Sequence, residues 1–182
     1  YIGQQPTPRA NRYLVLKFDF SGVPTTSPDA LEQIFASEVQ RSILRFIGNY
    51  TECFREADYR RVEQKLSASD YLAELLTFLS RNCPREKVFL IVDEYDHFTN
   101  ELVAFYPRDF DHVVSRNGFV RKFYENIKKG TQMGIIDRIF MTGVSPITLD
   151  SLTSGFNIAD NLTLDLNLHD LMGFREEEVG EL

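Results

Sequence analysis

Two adjacent carboxylates, Asp93 and Glu94, follow an uninterrupted apolar run, Val88-Phe89-Leu90-Ile91-Val92. A run of that length and composition predicts a strand buried on both faces. Such a strand would hold the two acids rigid where it leaves the sheet. The first acid, Asp93, could hold Mg²⁺, usually through water, against a substrate's phosphates. The second, Glu94, could orient and deprotonate an attacking water. About fifty residues on, Ile135 to Val144 forms another apolar run, and it delivers Thr142 and then Ser145 to the same kind of edge. Of these two hydroxyls Thr142 is the better candidate to meet a ligand there and Ser145 the second. Asp19, at the end of the apolar run from Tyr13 to Phe20, could approach from a third strand. Each feature taken alone also reads as an ordinary polar turn after a strand.

Other constellations fall away. Gly143-x-Ser145 lacks the second glycine of a nucleophile elbow, because Ile147 stands there. His97, His112 and His169 have no metal-ligand spacing. His97 reads better as a polar residue under a loop than as a partner of Asp93 and Asp96 in a transition-metal site. Cys53 and Cys83 form no C-x-x-C unit and read as reduced thiols rather than a disulfide framework. Arg55, Arg60, Arg61 and Lys65 are interleaved with acids, which favours a solvated helix face over a phosphate patch. The phenylalanines fall on apolar faces and read as core.

The elements that must position these residues alternate. A strand is expected over Tyr13 to Phe20. A long amphipathic helix follows, started by Ser27-Pro28-Asp29 and carried by Leu31, Ile34, Phe35, Val39, Ile43, Phe46 and Ile47. Thr51 to Leu66 is weakly helical. Ser67-x-x-Asp70 then resembles a capping box before Tyr71, Leu72, Leu75, Leu76 and Leu79. After the Val88 strand, a short helix is expected over Thr99 to Phe105 and another from Gly118 to Lys129. Gly130 and Gly134 should break the latter. Leu162 to Leu166 alternates and suggests a last short strand, and Arg175 opens a final helix. Strands separated by helices, without hairpin signals, predict an α/β fold with a mainly parallel sheet. Ligands of such sheets sit beyond the carboxyl ends of the strands, where the acids and hydroxyls lie.

Composition sets the outer bounds. The 182 residues are 43% hydrophobic and 26% charged, which is ordinary for a globular domain. Lys+Arg 20 against Asp+Glu 27 gives a net charge of -7, which disfavours broad nucleic-acid binding. No apolar run approaches the ~20 residues of a membrane span. Residues 1–12, polar with Pro6 and Pro8, read as an exposed arm or linker, and residues 13–182 as one domain. The chain opens at Tyr1 rather than Met, so a fragment or processed product is expected.

Taken together, the motifs resemble a known family. Val88 to Asp96 (VFLIVDEYD) has the Walker B form and, with FMTGVSPI at Phe140 to Ile147, resembles the AAA-ATPase-like family, also described as predicted AAA-ATPase. TSGFNI at Thr153 to Ile158 and LMGFREEEV at Leu171 to Val179 are further points of similarity. KFDFS at Lys17 to Ser21 is similar to the strand that follows the phosphate-loop helix. The resemblance implies a P-loop NTPase-like three-layer αβα fold, ATP and Mg²⁺ as ligands, and hydrolysis at the β–γ bond. It implies Asp93 on the metal, Glu94 as general base, Thr142 as phosphate sensor, and Ser145 and Asp19 near the nucleotide. The reduced thiols point to an intracellular protein, cytoplasmic or nuclear; a protein partner or oligomer is possible, and the C-terminus is expected to begin a helical lid.

One departure stands out. The family places a Walker A loop, G-x-x-x-x-G-K-[ST], before the Lys17 strand, yet no glycine in these residues is followed by lysine. That loop supplies the backbone cradle and the lysine for the phosphates. The P-loop strand would also be missing from the sheet, so the 182 residues alone are expected to be marginally stable and to bind ATP weakly. The alternative is a catalytically inactive ATPase remnant that acts as a protein-interaction module.

Overall fold

The computed structural model describes residues 7–23, 28–97, 99–100, 113, 118–144 and 156–168. Three strands form one parallel sheet in the order β1-β2-β3: β1 (Leu14–Asp19), β2 (Val88–Asp93) and β3 (Ile136–Met141). Helices α1 (Pro28–Asn49), α2 (Glu56–Glu63) and α3 (Ala68–Asn82) lie between β1 and β2 in sequence. Helix α4 (Phe119–Gln132) leads into β3. The α/β class and the parallel sheet expected from the sequence are present, and the arrangement is consistent with a P-loop-like αβα fold.

Alternation along the strands decides which face is covered. Leu14, Leu16 and Phe18 of β1 and Val88, Leu90 and Val92 of β2 are buried, while their neighbours are exposed or half-buried. The buried set packs against α1, α3 and α4 in one core. Its centre is aromatic: the Phe35 ring lies 4.7 Å from that of Phe20 and 5.2 Å from that of Phe123, and Phe18 meets Phe123 at 5.3 Å. Phe18, Phe20, Phe35, Phe46, Phe78, Phe123 and Phe156 are therefore core, whereas Phe140 is exposed. Val15, Lys17 and Asp19 point to the other face, where Val15 remains 42% exposed.

Strand β3 joins with a one-residue slip. Val88 pairs with Ile136, but Phe89 pairs with Arg138. An unshifted register would turn Arg138 into the core and set Met141 opposite Asp93. The slip instead packs Ile139 and Met141 against the core, leaves Arg138 and Phe140 exposed, and brings Thr142 level with Asp93.

Local chemistry explains most element ends. Ser67 caps α3 by accepting the Asp70 N–H at 3.1 Å, and its hydroxyl donates to the Asp70 carboxylate at 2.7 Å. Helix α4 does not stop at Gly130. That glycine lies inside the helix, where a Cβ would press on the Ile136 and Leu76 side chains, so it permits close approach to β3. Gly134, at φ +67, is the residue that ends the turn. Thr51 to Leu66 resolves into a 3₁₀ turn (Thr51–Cys53) and α2, with Arg60 paired to Glu56 and Arg61 to Glu74.

Two expectations need correction. Leu162 to Leu166 is not a strand: it is a turn leading into a 3₁₀ turn at Leu166–Leu168, with Leu164 90% exposed. Alternation specifies a strand only where a partner and a core face exist, and Leu162, Leu164 and Leu166 all stay exposed. Cys53 and Cys83 are not free thiols but a disulfide, with their Cα atoms 5.5 Å apart. The fold brings the 3₁₀ turn beside the C-cap of α3, a proximity that a separation of 30 residues hides. The same corner holds buried Asp58, which accepts from Arg55 N–H at 3.0 Å, Asn82 Nδ2 at 2.8 Å and Arg81. The expected cap at Ser27 and the expected helix from Arg175 lie outside the described residues.

Candidate functional site

The chemistry-bearing residues meet at the carboxyl edge of the sheet, on its open face. Asp93 ends β2 and stands in register with Asp19 of β1. Thr142, one residue past β3, donates its hydroxyl to Asp93 Oδ1 at 2.5 Å. Lys17 Nζ donates to Asp93 Oδ2 at 2.9 Å and lies 3.5 Å from Asp19 Oδ2. Asp19 accepts from its own turn, Ser21 N–H at 3.1 Å and Ser21 Oγ at 2.7 Å.

These contacts set the charge states. The Thr142 hydroxyl, and then Lys17, hold the Asp93 carboxyl below its ordinary range. The Ser21 hydroxyl and N–H do the same for Asp19. The hydrogen bond to Asp93 raises Lys17. The site at neutral pH is two carboxylates around one ammonium.

Backbone bonds fix the geometry. Thr142 N–H donates to Val92 O at 2.9 Å, and Tyr95 N–H donates to Thr142 O at 3.1 Å, so the ends of β2 and β3 are laced together. Glu94 sits between them at φ 53, in the left-handed region. A non-glycine residue held there costs of order 1 kcal/mol, and such strain clusters at functional sites. The His97 N–H bond to Glu94 O, at 3.2 Å, closes the turn that imposes it.

Two residues of this site escaped sequence reasoning. Asp96 is fully buried. Its carboxylate accepts the Val144 N–H through both oxygens, at 3.1 and 3.0 Å, and Asn100 Nδ2 at 2.8 Å. It clamps the turn after β2 to the exit of β3. Gly143 makes room for it: a Cβ there would overlap the Asp96 carboxylate and the Tyr95 ring. The signal was a glycine two residues past a strand, opposite an acidic run. Lys17 was the other. A lone charge on the outward alternation of an apolar strand, two residues before Asp19, marks a side chain that can lie along the sheet toward the site. Asp93, Glu94, Thr142 and Asp19 thus share one edge, whereas Ser145 lies outside the described residues.

The donor set meets the modest needs of Mg²⁺, which takes one or two carboxylates and keeps several waters. Asp93 is ionised, partly exposed and backed by a hydroxyl. Among the described residues, no group of three or more His, Cys, Asp or Glu side chains forms a fully protein-made metal cage. No helix among them is long and apolar enough to cross a membrane.

Such an edge, on a parallel sheet with helices, defines an α/β protein consistent with a P-loop-like αβα fold. More specifically, the family described as "Predicted AAA-ATPase" matches residues 1–153, and the chain belongs to that family. The match includes the arm at residues 1–12 and ends before most of TSGFNI and all of LMGFREEEV. No curated protein and no solved structure matches the chain.

Proposed function

We propose that this chain is an ATP-binding and ATP-hydrolysing core in which the edge of β1, β2 and β3 forms the catalytic side of the site. One observation carries the reading: Thr142 and Asp93, from neighbouring strands, share a hydrogen bond at the carboxyl edge of a parallel sheet. Family membership supports ATP as the substrate.

In this reading Asp93 is the β2 carboxylate that would hold Mg²⁺, which would neutralise charge on the phosphates. Glu94 orients a water in line with the γ-phosphorus and takes its proton. The oxygen–phosphorus bond forms as the bond to the β–γ bridging oxygen breaks, leaving ADP and phosphate. Thr142, already hydrogen-bonded to Asp93, contacts the terminal phosphate and reports its loss to β3. Asp19 and Ser145 border the nucleotide. The Walker A cradle, which these 182 residues do not contain, would come from elsewhere in the protein. ATP use supports an intracellular setting, cytoplasmic or nuclear, although the Cys53–Cys83 disulfide removes the argument from reduced thiols.

The test is Glu94→Gln in the natural full-length protein. ATP binding should persist and turnover should fall by about 100-fold or more, the usual contribution of a general base. Unchanged turnover would remove Glu94 from the mechanism.

The second reading, an inactive remnant that docks a protein, draws on Phe140, 44% exposed, and Val144, 83% exposed, at the end of β3. A full-length protein without ATP affinity would favour it.

A further inference from the structure

Lys17 has no part in the scheme above, yet it is the group in closest contact with the Asp93 oxygen not engaged by Thr142. Thr142 occupies Oδ1, and the Lys17 ammonium occupies Oδ2 at 2.9 Å. The same ammonium reaches the second carboxylate, Asp19, at 3.5 Å. A monovalent cation on a flexible stem therefore sits between two carboxylates, where a divalent cation would gain most.

Exposure shows which kind of ion pair this is. The Lys17 and Asp93 side chains are 47% and 38% exposed. Pairs this wet are weak and readily exchanged. Asp58 with Arg81 is the contrast: that carboxylate is buried and held by three donors, so the pair is fixed structure. Lys17 also belongs to the exposed alternation of β1, opposite the buried Leu16 and Phe18.

We propose that Lys17 is the resident counter-cation of Asp93, that a hydrated divalent cation takes its place at Oδ2, and that the released ammonium then contacts the phosphates of the nucleotide. The inference rests on reading Asp93 as the cation-binding carboxylate. A lysine ammonium is a compact charge on a four-carbon stem, suited to changing partners over a few ångströms. The exchange keeps charge balanced: the cation replaces one positive charge on the carboxylates as the phosphates bring new negative charge for the lysine.

The experiment measures Mn²⁺ alone, then ATP at saturating Mg²⁺, on the full-length protein and its variants. Lys17→Met removes the tethered competitor and should tighten Mn²⁺ by up to about fivefold, the upper end for a surface pair. It should weaken ATP by a similar factor. Lys87→Met makes the same charge change at the opposite end of β2 and should alter neither. Lys17→Arg keeps the cation and should bind Mn²⁺ no more tightly than the unaltered protein. Mn²⁺ binding that depends on Asp93 but is equal in Lys17→Met and the unaltered protein would overturn the exchange alone. Mn²⁺ binding indifferent to Asp93→Asn, or absent, would overturn the reading of Asp93 and the exchange with it. Undiminished ATP affinity in Lys17→Met would overturn the phosphate contact.

Discussion

Thr142 Oγ1 donates to Asp93 Oδ1 at 2.5 Å across adjacent parallel strands, and a one-residue slip in register sets the two residues level. The bond favours the ionised form of Asp93. Thr142→Val should therefore raise the Asp93 pKa toward the ordinary 3.8, read by carboxyl carbon NMR against pH. Because the native pKa is depressed, the associated stability is present above the unfolded carboxylate range. It is lost as pH falls through the native value. The stability difference between the two proteins should thus be full at neutral pH and shrink in acid. An Asp93 titration identical in both would show that the hydroxyl does not act on it.

Glu94 stands at φ 53 without being glycine. Glu94→Gly should relieve the left-handed strain and raise stability by up to about 1 kcal/mol in a denaturant melt. The same change should remove turnover. Glu94→Ala keeps a Cβ and should give no such gain. A loss of stability in the glycine variant would mean that the turn is not strained.

Gly143 and Asp96 meet too closely for any Cβ at position 143. Asp96 and Tyr95 are buried and cannot swing aside. Gly143→Ala should cost about 1–3 kcal/mol through displacement of the clamp. Hydrogen exchange at the Val144 amide should quicken with it, because that amide donates to Asp96. Unchanged stability and exchange would show that the clamp can yield.

Cys53 and Cys83 close a loop that contains α2 and all of α3. On the chain-entropy account, a loop of this length stabilises by about 3–4 kcal/mol. Reduction, or serine at both positions, should lower the melting temperature accordingly. A melt indifferent to reductant would mean that the pair contributes little to the folded state.

The sequence exposed the parts whose physics is local. Val88 to Val92 read as a strand buried on both faces. It is a strand, and the acids after it lie at a sheet edge, but only Val88, Leu90 and Val92 are buried while Phe89 and Ile91 on the other face are half-buried. Helix α1 declared itself by the period of Leu31, Phe35, Val39 and Ile43, all buried. What stayed hidden depends on chain segments meeting. Asp96 looked like one acid in a run until Val144 N–H was seen to need an acceptor. Lys17 looked like a strand residue until β1 and β2 paired in register. The cysteines lacked a motif because their bridge joins a 3₁₀ turn to a helix end. Leu162 to Leu166 misled for the converse reason: its alternation is real, but its leucines lie exposed rather than in the core.

The central claim, that this sheet edge binds ATP through a cation on Asp93, is tested most directly by an ATP binding isotherm. It is run on the full-length protein with and without Mg²⁺, for the unaltered chain and Asp93→Asn. The account predicts that Mg²⁺ tightens ATP binding in the unaltered chain and that Asp93→Asn loses about tenfold or more of that gain, some 1.4 kcal/mol. ATP affinity that is the same in both proteins and indifferent to Mg²⁺ would contradict it.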